Sequence, residues 1–287
     1  MNKWGLFFKE RAPVFSYVLM CLGPTMSSVF LNQKNYDFKI LFSFFGLFIF
    51  FNVLRMMDEY KDYHKDVVAH PTRPLPRGLI DLKEFKVGIN IGIALMLIFN
   101  FALYIFGLKT SFYLYSLVVI HLWLMYKEFY VGDWLNQYPL FYAITHQLIL
   151  ITLMLFSLST IRNQGDAFHT ADWVYSLSVL FSFFTYEVCR KLDPNAHELL
   201  KTYRYTYGLG GVLAIVGVLS SLQLANLIYF FKNNLTQIAF EMVLFVTIFL
   251  LYLLRQNKVK FKIVETVATL NLIIFLYSGI IYAITNR

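Results

Sequence analysis

The amino-acid sequence predicts an all-α, polytopic membrane protein with nine transmembrane helices around a central cavity. Three observations lead to this fold class. The chain of 287 residues is 58% hydrophobic and 15% charged, with a mean hydropathy of +0.58, which is far more apolar than a soluble domain. Its apolar runs are about 20 residues long, the length that crosses a bilayer as a helix. These runs do not alternate apolar and polar residues, so a β-barrel is excluded.

The apolar runs follow one another along the whole chain, without an internal repeat or a linker. We therefore expect 1–287 to form a single transmembrane domain. No small-residue cleavage site follows the first basic segment, so the first run is expected to be a retained span. The nine runs cover residues 13–31, 40–57, 88–108, 111–127, 138–160, 171–189, 208–231, 235–254 and 264–284.

The basic residues predict the orientation of these spans. If the N-terminus lies in the cytoplasm, the loops on that side hold most of the 25 Lys and Arg residues, as the positive-inside rule requires. An odd number of spans then puts the C-terminus on the opposite side. We expect an integral membrane protein, in the cell inner membrane if the source is bacterial. The net charge of +8 suits basic cytoplasmic loops and needs no nucleic-acid partner.

A carboxylate-rich segment follows the second run. Asp58, Asp62 and Asp66 recur every four residues, and Glu59 adjoins the first of them, so a continuing helix would carry three acids on one face. Like charges at this spacing repel each other, and a bound cation would relieve that repulsion. Since Mg²⁺ prefers oxygen ligands, the segment predicts a metal site.

Basic residues close to these acids predict a phosphate site. Arg73 and Arg77 flank Pro-Leu-Pro, a segment that cannot stay helical, and guanidinium groups bind phosphate oxygens in pairs. A magnesium–diphosphate site requires carboxylates that bind the metal close to basic side chains that bind the phosphates. The alternative is a solvated, salt-bridged helix end. In such a helix, residues four apart usually carry opposite charges. Here they carry the same charge, because Asp58 is followed by Asp62 and Lys61 by Lys65.

A second loop of mixed charge follows the sixth run and contains Glu187, Arg190, Lys191 and Asp193. An interfacial anchor with internal ion pairs is one interpretation of it. The functional interpretation depends on placement, because both charged loops are predicted on the same membrane face, four helices apart. A helical bundle would then bring the two loops to opposite sides of one cavity.

Polar residues within the apolar runs are weaker candidates. Asn52 precedes the first acids and could point into the same site, and His146 beside Gln147 is the next candidate for contacting a substrate. The others more often bond to a neighbouring helix than line a cavity. They are Asn100, His121, Glu241, Glu265 and Asn271.

Taken together, DEYKDYHKD, the nearby RPLPRG and the nine runs resemble the UbiA superfamily of intramembrane prenyltransferases. Members carry aspartate-rich cytoplasmic loops after helices two and six, and the first loop typically reads Asn-Asp-x-x-Asp-x-x-x-Asp. Asp58 and Glu59 stand at the Asn-Asp pair of that motif, while Asp62 and Asp66 stand at its later aspartates.

Two flanking segments are also similar to the family pattern. Residues 73–76 read Arg-Pro-Leu-Pro, which follows the motif in many members, and residues 11–13 read Arg-Ala-Pro, close to the Arg and Pro found ahead of the first helix. The sequence looks like a divergent branch for two reasons. Its first loop replaces Asn-Asp by Asp-Glu, and its second loop lacks Asp-x-x-x-Asp, with a cation at Arg190 or Lys191 in place of one metal ligand.

The resemblance implies a Mg²⁺-dependent transfer of a prenyl group from a polyprenyl diphosphate to an acceptor, which can be a small molecule or a lipid. We expect the metal ligands to be Asp58, Glu59, Asp62, Asp66 and Asp193. The residues expected in catalysis are Asp62, Asp66, Arg73 and Lys191. Those expected to bind substrate are Arg11, Asn52, Arg73, Arg77, His146, Glu187, Arg190, Lys191 and Asp193.

Two alternatives stay open. A transferase of the same superfamily that moves a phosphorylated sugar onto a polyprenyl phosphate would use the same metal chemistry, and the cations at Arg190 and Lys191 are compatible with it. A cation-coupled transporter would also need carboxylates, but these would be expected at the bilayer midplane, between broken helices. The acids of residues 58–66 lie instead at a helix end.

Overall fold

The long apolar runs form helices, because a backbone in hydrocarbon must satisfy its own hydrogen bonds. The computed structural model describes residues 2–32, 37–193, 196–200, 202–230, 241 and 258–285, and within these ranges it contains helices and turns but no strand. The helices are α1 (Lys3–Arg11), α2 (Val14–Leu31), α3 (Ile40–Lys61), α4 (Tyr63–Ala69), α5 (Leu82–Ile105), α6 (Lys109–Tyr126), α7 (Gly132–Leu135), α8 (Pro139–Gln147), α9 (Ile149–Ile161), α10 (Thr170–Arg190), α11 (Tyr203–Phe230), α12 (Lys258–Leu276) and α13 (Ser278–Thr285).

Five helical segments of the described chain are long and apolar enough to cross a membrane, and the bent pair α12–α13 makes six if it is one span. The five are Val14–Leu31, Ile40–Lys61, Leu82–Ile105, Pro139–Ile161 and Tyr203–Asn226. The all-helical membrane architecture is therefore confirmed, but nine spans are not. The predicted fourth and sixth spans are helices, α6 and α10, that are not among these candidates. The predicted eighth span, 235–254, lies outside the described residues except for Glu241.

Contacts between Cα atoms divide the chain into two units, each described here by itself. The first unit comprises Met1–Gly132 and Leu155–Asp166, and the second comprises Asp133–Met154 and Ala167–Arg287. The expectation of one domain stays a prediction.

In the first unit, small hydroxyl side chains join α2, α3 and α9 inside the apolar bundle. Ser157 Oγ lies 2.8 Å from Ser28 Oγ and 2.6 Å from Ser43 Oγ, which in turn lies 3.1 Å from Thr25 Oγ1. All four residues are buried. Small residues let helices approach closely, and hydroxyl groups then bond across the gap. This network holds α3 in place, and the acidic segment begins at the end of α3.

The N-terminal helix α1 is anchored on α5 by aromatic packing. Phe7 is fully buried with its ring edge-on to Phe85 at 5.1 Å, and Trp4 stacks on the same ring at 5.6 Å. Glu84 accepts a hydrogen bond from Trp4 Nε1 at 3.2 Å and pairs with Lys3. This anchor fixes the C-terminal end of α1, where Arg11 lies.

The second unit is built on α10, which packs against α11 and α12. Their shared core contains Val188 of α10, Val212 and Val216 of α11, and Val264 and Ala268 of α12. Apolar residues at these helical spacings form one continuous face on each helix. Helix α11 is bent at Gly208, whose φ of +65° is in the region that favours glycine.

Candidate functional site

The acidic segment is helical but does not form one exposed face of three carboxylates. Helix α3 ends at Lys61 and α4 begins at Tyr63, with Asp62 at the junction. Backbone bonds from Asp62 N to Asp58 O and from Asp66 N to Asp62 O, both 2.9 Å, keep the i,i+4 spacing across the junction. Burial separates the acids into two pairs: Glu59 and Asp66 are buried, whereas Asp58 and Asp62 are partly exposed.

Glu59 is clasped by two guanidinium groups. Arg11 of α1 approaches Glu59 Oε1 with Nε at 2.7 Å and Nη2 at 2.6 Å, and Arg55, one turn earlier on α3, places Nη2 at 2.5 Å from the same oxygen. A carboxylate only 3% exposed needs such partners, because an isolated buried charge is very costly. Glu59 is thus an arginine partner through Oε1. Its Oε2 has no hydrogen-bond partner among the described residues, and its role as a metal ligand stays a prediction. The prediction missed Arg55, although its i,i+4 spacing to Glu59 was a usable signal.

Asp66 pairs with Arg73, which was predicted to bind phosphate. Arg73 Nη1 lies 2.5 Å from Asp66 Oδ2, and Asp66 is 2% exposed. The chain returns to Asp66 because the segment after α4 is folded into turns, with Leu75 buried beneath them and Gly78 at a φ of +76°. Asp66 is likewise an arginine partner in the described chain, and its role as a metal ligand stays a prediction.

These pairs form one charged cluster of three guanidiniums and two buried carboxylates, with positive charge in excess. Burial lowers the pKa of the Arg11 guanidinium, the Arg55 charge lowers it further, and Glu59 opposes both. Burial also lowers the pKa of His70, with the Arg73 charge acting in the same direction. A bound anion would stabilise the cationic forms of Arg11 and His70, which burial and the neighbouring arginines disfavour.

Asp58 and Asp62 differ from the buried acids. Asp62 makes no ion pair with any described residue, and Asp58 lies one helical turn before it. Within the described ranges, no three Asp, Glu, His or Cys side chains lie close enough to hold a metal by themselves. Two carboxylates are nevertheless sufficient for Mg²⁺, which usually takes one or two from the protein and completes its shell with water and phosphate oxygens. These residues therefore fit a metal that is shared with a bound diphosphate.

Two other predicted residues of the first unit make different contacts. The exposed Arg77 donates from Nη2 and Nη1 to the two carboxylate oxygens of Glu10, at 2.9 and 3.1 Å, and from Nη1 to Thr72 O at 3.0 Å. Asn52 Nδ2 donates to Phe48 O at 2.7 Å, a bond within its own helix. Arg77 is thus tied to α1 and not to the buried carboxylates.

The second charged loop lies in the second unit, at the end of α10. Glu187 Oε2 lies 2.8 Å from Arg190 Nη2, and Glu187 Oε1 lies 2.6 Å from Lys191 Nζ. The Lys191 ammonium also lies 5.5 Å from the centre of the Tyr203 ring, within cation–π range. Asp193 follows in the same loop and is partly exposed. The loop thus presents two cations held by one carboxylate.

His146, the predicted substrate contact within a span, also belongs to the second unit. Its ring stacks on Tyr142 at 4.1 Å, and its Nδ1 lies 2.8 Å from Tyr142 O. Since residues 58–78 and 187–193 fall in different units, the expectation that the two loops meet across one cavity stays a prediction.

The fold of the chain is similar to that of a solved structure of digeranylgeranylglyceryl phosphate synthase in membranes. The two share 20% sequence identity and a TM-score of 0.69, and the match covers 99% of this chain and 100% of that chain. This similarity shows that the two proteins share a fold. The chain matches no protein-family model and no curated protein.

Proposed function

We propose that this chain is an intramembrane prenyltransferase that moves a prenyl group from a polyprenyl diphosphate to an acceptor. One observation carries the proposal: the arginine-clasped carboxylates Glu59 and Asp66 lie on the same short segment as Asp58 and Asp62, at the end of a membrane span. An ordinary solvated helix end would expose its acids and would not bury two of them beneath arginines.

The guanidinium cluster is proposed to bind the diphosphate. Arg11, Arg55 and Arg73 carry three positive charges against the four negative charges of Asp58, Glu59, Asp62 and Asp66, so the two charges of a bound Mg²⁺ would leave one positive charge in excess to attract an anion. Because each arginine is already held by a buried carboxylate, its position is set before substrate arrives. Positive groups fixed where negative charge develops stabilise the leaving diphosphate as the allylic C–O bond breaks.

Asp58 and Asp62 are proposed to hold Mg²⁺ together with the diphosphate oxygens. The metal would supply further neutralisation of the leaving group. Glu59 and Asp66 then act as positioning residues for the arginines. Asp193 stays a proposed ligand from the second loop. This assignment retains the predicted acidic segment but gives its members two different tasks.

The second loop is proposed to bind substrate phosphate through its cations. Arg190 and Lys191 both pair with Glu187, each through a different oxygen of its carboxylate. Asn52, Arg77 and His146 are retained as weaker substrate contacts, because each already bonds to a neighbouring group. We also propose that both loops face the cytoplasm, with the N-terminus on that side and the C-terminus opposite, as the distribution of basic residues predicts.

The apolar spans account for the membrane location of the reaction. Ionisation of an allylic diphosphate leaves a carbocation that water would destroy, so the reaction needs surroundings from which water is excluded. A prenyl tail can extend between the helices into lipid. The name of the similar enzyme indicates a glyceryl phosphate that carries two geranylgeranyl groups, so we propose a phosphorylated glycerol lipid as the first acceptor class to test.

The experiment is a comparison of two labelled donors with purified full-length protein in detergent and Mg²⁺. One arm contains labelled geranylgeranyl diphosphate with a monoprenyl glyceryl phosphate, and the other contains labelled phosphoribosyl diphosphate with a polyprenyl phosphate. We expect label to enter a new lipid product in the first arm alone. Transfer in the second arm alone would instead identify a sugar-phosphate transferase, and the proposal would be abandoned.

A further inference from the structure

Tyr17 of α2 lies beside the guanidinium cluster but has no part in the function proposed so far. Its side chain is partly buried, and its hydroxyl group makes no hydrogen bond with any residue that the structure describes. The phenol nevertheless interacts electrostatically with Arg55, Asp58 and Arg11. A hydroxyl group that lies near charged side chains without bonding to them can still donate to a ligand.

The face of α2 that carries Tyr17 packs against α3. Residues four apart share one face of a helix, and Tyr17, Cys21 and Thr25 are spaced in this way. Cys21 is fully buried, and Thr25 Oγ1 lies 3.1 Å from Ser43 Oγ of α3. Tyr17 therefore lies on the side of α2 that faces α3.

Contacts on both sides of Tyr17 show that α2 and α3 are antiparallel. Arg11, just before α2, bonds to Glu59 near the end of α3. Thr25, later in α2, contacts Ser43 near the start of α3. Tyr17 lies between these two contacts along the chain, so the N-terminal end of α2 is beside the charged end of α3.

The helical rise gives the level of the Tyr17 hydroxyl in this register. At ~1.5 Å per residue, Tyr17 lies about 12 Å from Thr25 along α2, and Arg55 lies about 18 Å from Ser43 along α3. Side chains on a helix lean toward its N-terminus, and for Tyr17 this direction is toward the charged end. The length of the ring covers the difference, so the hydroxyl reaches the level of Arg55, in agreement with their electrostatic interaction.

Tyr17 therefore lies at the boundary between the charged cluster and the apolar span. Its hydroxyl is near Arg55 and Asp58, which are proposed to hold the diphosphate and its Mg²⁺, and the fully buried Cys21 lies one turn further into the span. A prenyl diphosphate held by the cluster would extend its chain toward the apolar side. Its allylic C–O bond, which joins the two parts of the molecule, would then lie at the level of Tyr17.

We propose that the Tyr17 hydroxyl donates a hydrogen bond to the diphosphate oxygen that leaves the allylic carbon, an inference that rests on the proposed prenyl transfer. In the intact substrate this ester oxygen is a weak acceptor. When the C–O bond breaks, the electron pair stays on the oxygen, which becomes negatively charged. A new bond joins the allylic carbon to the acceptor, whose proton passes to the released diphosphate, so Tyr17 keeps its own proton. The hydrogen bond is therefore stronger in the transition state than in the substrate complex, as catalysis requires.

The first test is the rate of a single turnover in Tyr17→Phe, which removes only the hydroxyl. With purified full-length protein, Mg²⁺ and labelled geranylgeranyl diphosphate, we expect the rate to fall roughly 10- to 100-fold, the scale of a lost hydrogen bond to a charged group. Donor KM should change by less than about threefold, because the lost bond belongs to the transition state. Tm should not change, since the hydroxyl bonds to no described residue.

The second test is binding of labelled inorganic diphosphate with Mg²⁺, measured by equilibrium dialysis. The released diphosphate carries its charge on the oxygen that Tyr17 contacts, so Tyr17→Phe should raise its Kd roughly tenfold or more. This measurement needs no turnover and therefore separates the inference from the proposed function. If the wild type transferred no prenyl group, the proposed function would fail, and a raised diphosphate Kd in Tyr17→Phe would still support the contact.

Tyr115→Phe is the matched control, because it also removes one tyrosine hydroxyl from the first unit. Tyr115 is fully buried, and its hydroxyl donates to Gly46 O at 3.1 Å. This variant should lower Tm by about 2–4 °C and keep the wild-type turnover rate and diphosphate Kd. A wild-type rate and a wild-type diphosphate Kd in Tyr17→Phe would overturn the inference. Equal rises in donor KM and diphosphate Kd would also overturn it, because the hydroxyl would then contact an oxygen that is charged throughout the reaction.

Discussion

Arg11 and Glu59 are 48 residues apart in the chain, yet the Arg11 Nε atom lies 2.7 Å from Glu59 Oε1. This contact ties the N-terminal helix to the acidic end of α3. It also indicates a positioning role for Glu59, because its Oε1 accepts hydrogen bonds from both Arg11 and Arg55. Asp58 and Asp62 are then the proposed candidates for direct metal binding, while a metal role for Glu59 stays a prediction.

Replacement of Asp62 by Ala should abolish turnover and leave the fold intact. The Asp62 carboxylate is partly exposed and makes no ion pair with a described residue, so its loss removes little that stabilises the folded state. Its loss would remove a proposed metal ligand. The measurements are transfer of labelled prenyl diphosphate with Mg²⁺ and the Tm of the purified variant.

The matched control is Asp37→Ala, which removes an aspartate whose pairing with Lys39, at 3.7 Å, is on the surface. Surface pairs of this kind contribute about 0–1 kcal/mol, so both turnover and Tm should stay near the wild-type values. Wild-type turnover in Asp62→Ala would refute the role proposed for Asp62.

Replacement of Glu59 by Gln should lower both stability and activity. Without the carboxylate, Arg11 and Arg55 face each other with less compensation, and hydrogen bonds between charged groups are lost. We expect a loss of about 1–3 kcal/mol in the free energy of unfolding, less than a fully buried pair would give, because both arginine side chains are partly exposed.

Denaturant unfolding of Glu59→Gln beside wild type measures this loss, and donor KM should rise at the same time because the arginines are no longer held. A variant with wild-type stability and donor KM but no response to Mg²⁺ would show that Glu59 is a metal ligand after all. That result would restore the role predicted from the motif.

The spacing of the acids and the helix positions could be predicted from the sequence, but the ion-pair partners of the acids could not. Periodicity gives the turn-by-turn positions of Asp58, Asp62 and Asp66, because they depend on local geometry. The partner of Glu59 depends on α1 folding back onto α5 through Phe7, and a contact between distant segments leaves no trace in local spacing. The sequence likewise did not predict the pairing of Asp66 with Arg73, although it predicted both as site residues.

Loss of Arg73 should be far more damaging than loss of Arg77. Arg73 contacts the buried Asp66 within the guanidinium cluster, whereas Arg77 bonds to Glu10 in an exposed pair. Arg73→Ala would leave Asp66 buried without its cation and remove a proposed diphosphate ligand. We expect turnover to fall by roughly a hundredfold or more, the scale of a lost transition-state donor, and by less than about threefold in Arg77→Ala.

The assay should include Arg73→Lys, which keeps the charge but not the planar fork that contacts phosphate in pairs. Partial recovery of kcat in Arg73→Lys would indicate a charge role, and none would indicate paired hydrogen bonds. If Arg77→Ala reduced turnover as much as Arg73→Ala, the exposed pair with Glu10 would open on substrate binding and the present assignment would be wrong.

Truncation of Phe7 should impair the active site from a distance. Phe7 is fully buried against Phe85 and helps to hold α1 on α5, and a buried Phe→Ala change typically costs about 3–5 kcal/mol. If α1 loosens, Arg11 no longer stays beside Glu59, so donor KM should rise even at temperatures where the protein remains folded.

Phe15→Ala is the control, because Phe15 is 75% exposed and its removal leaves this anchor intact. Unfolding and donor KM measured on both variants separate the two effects. A large rise in donor KM for Phe15→Ala, with none for Phe7→Ala, would show that α1 does not position Arg11.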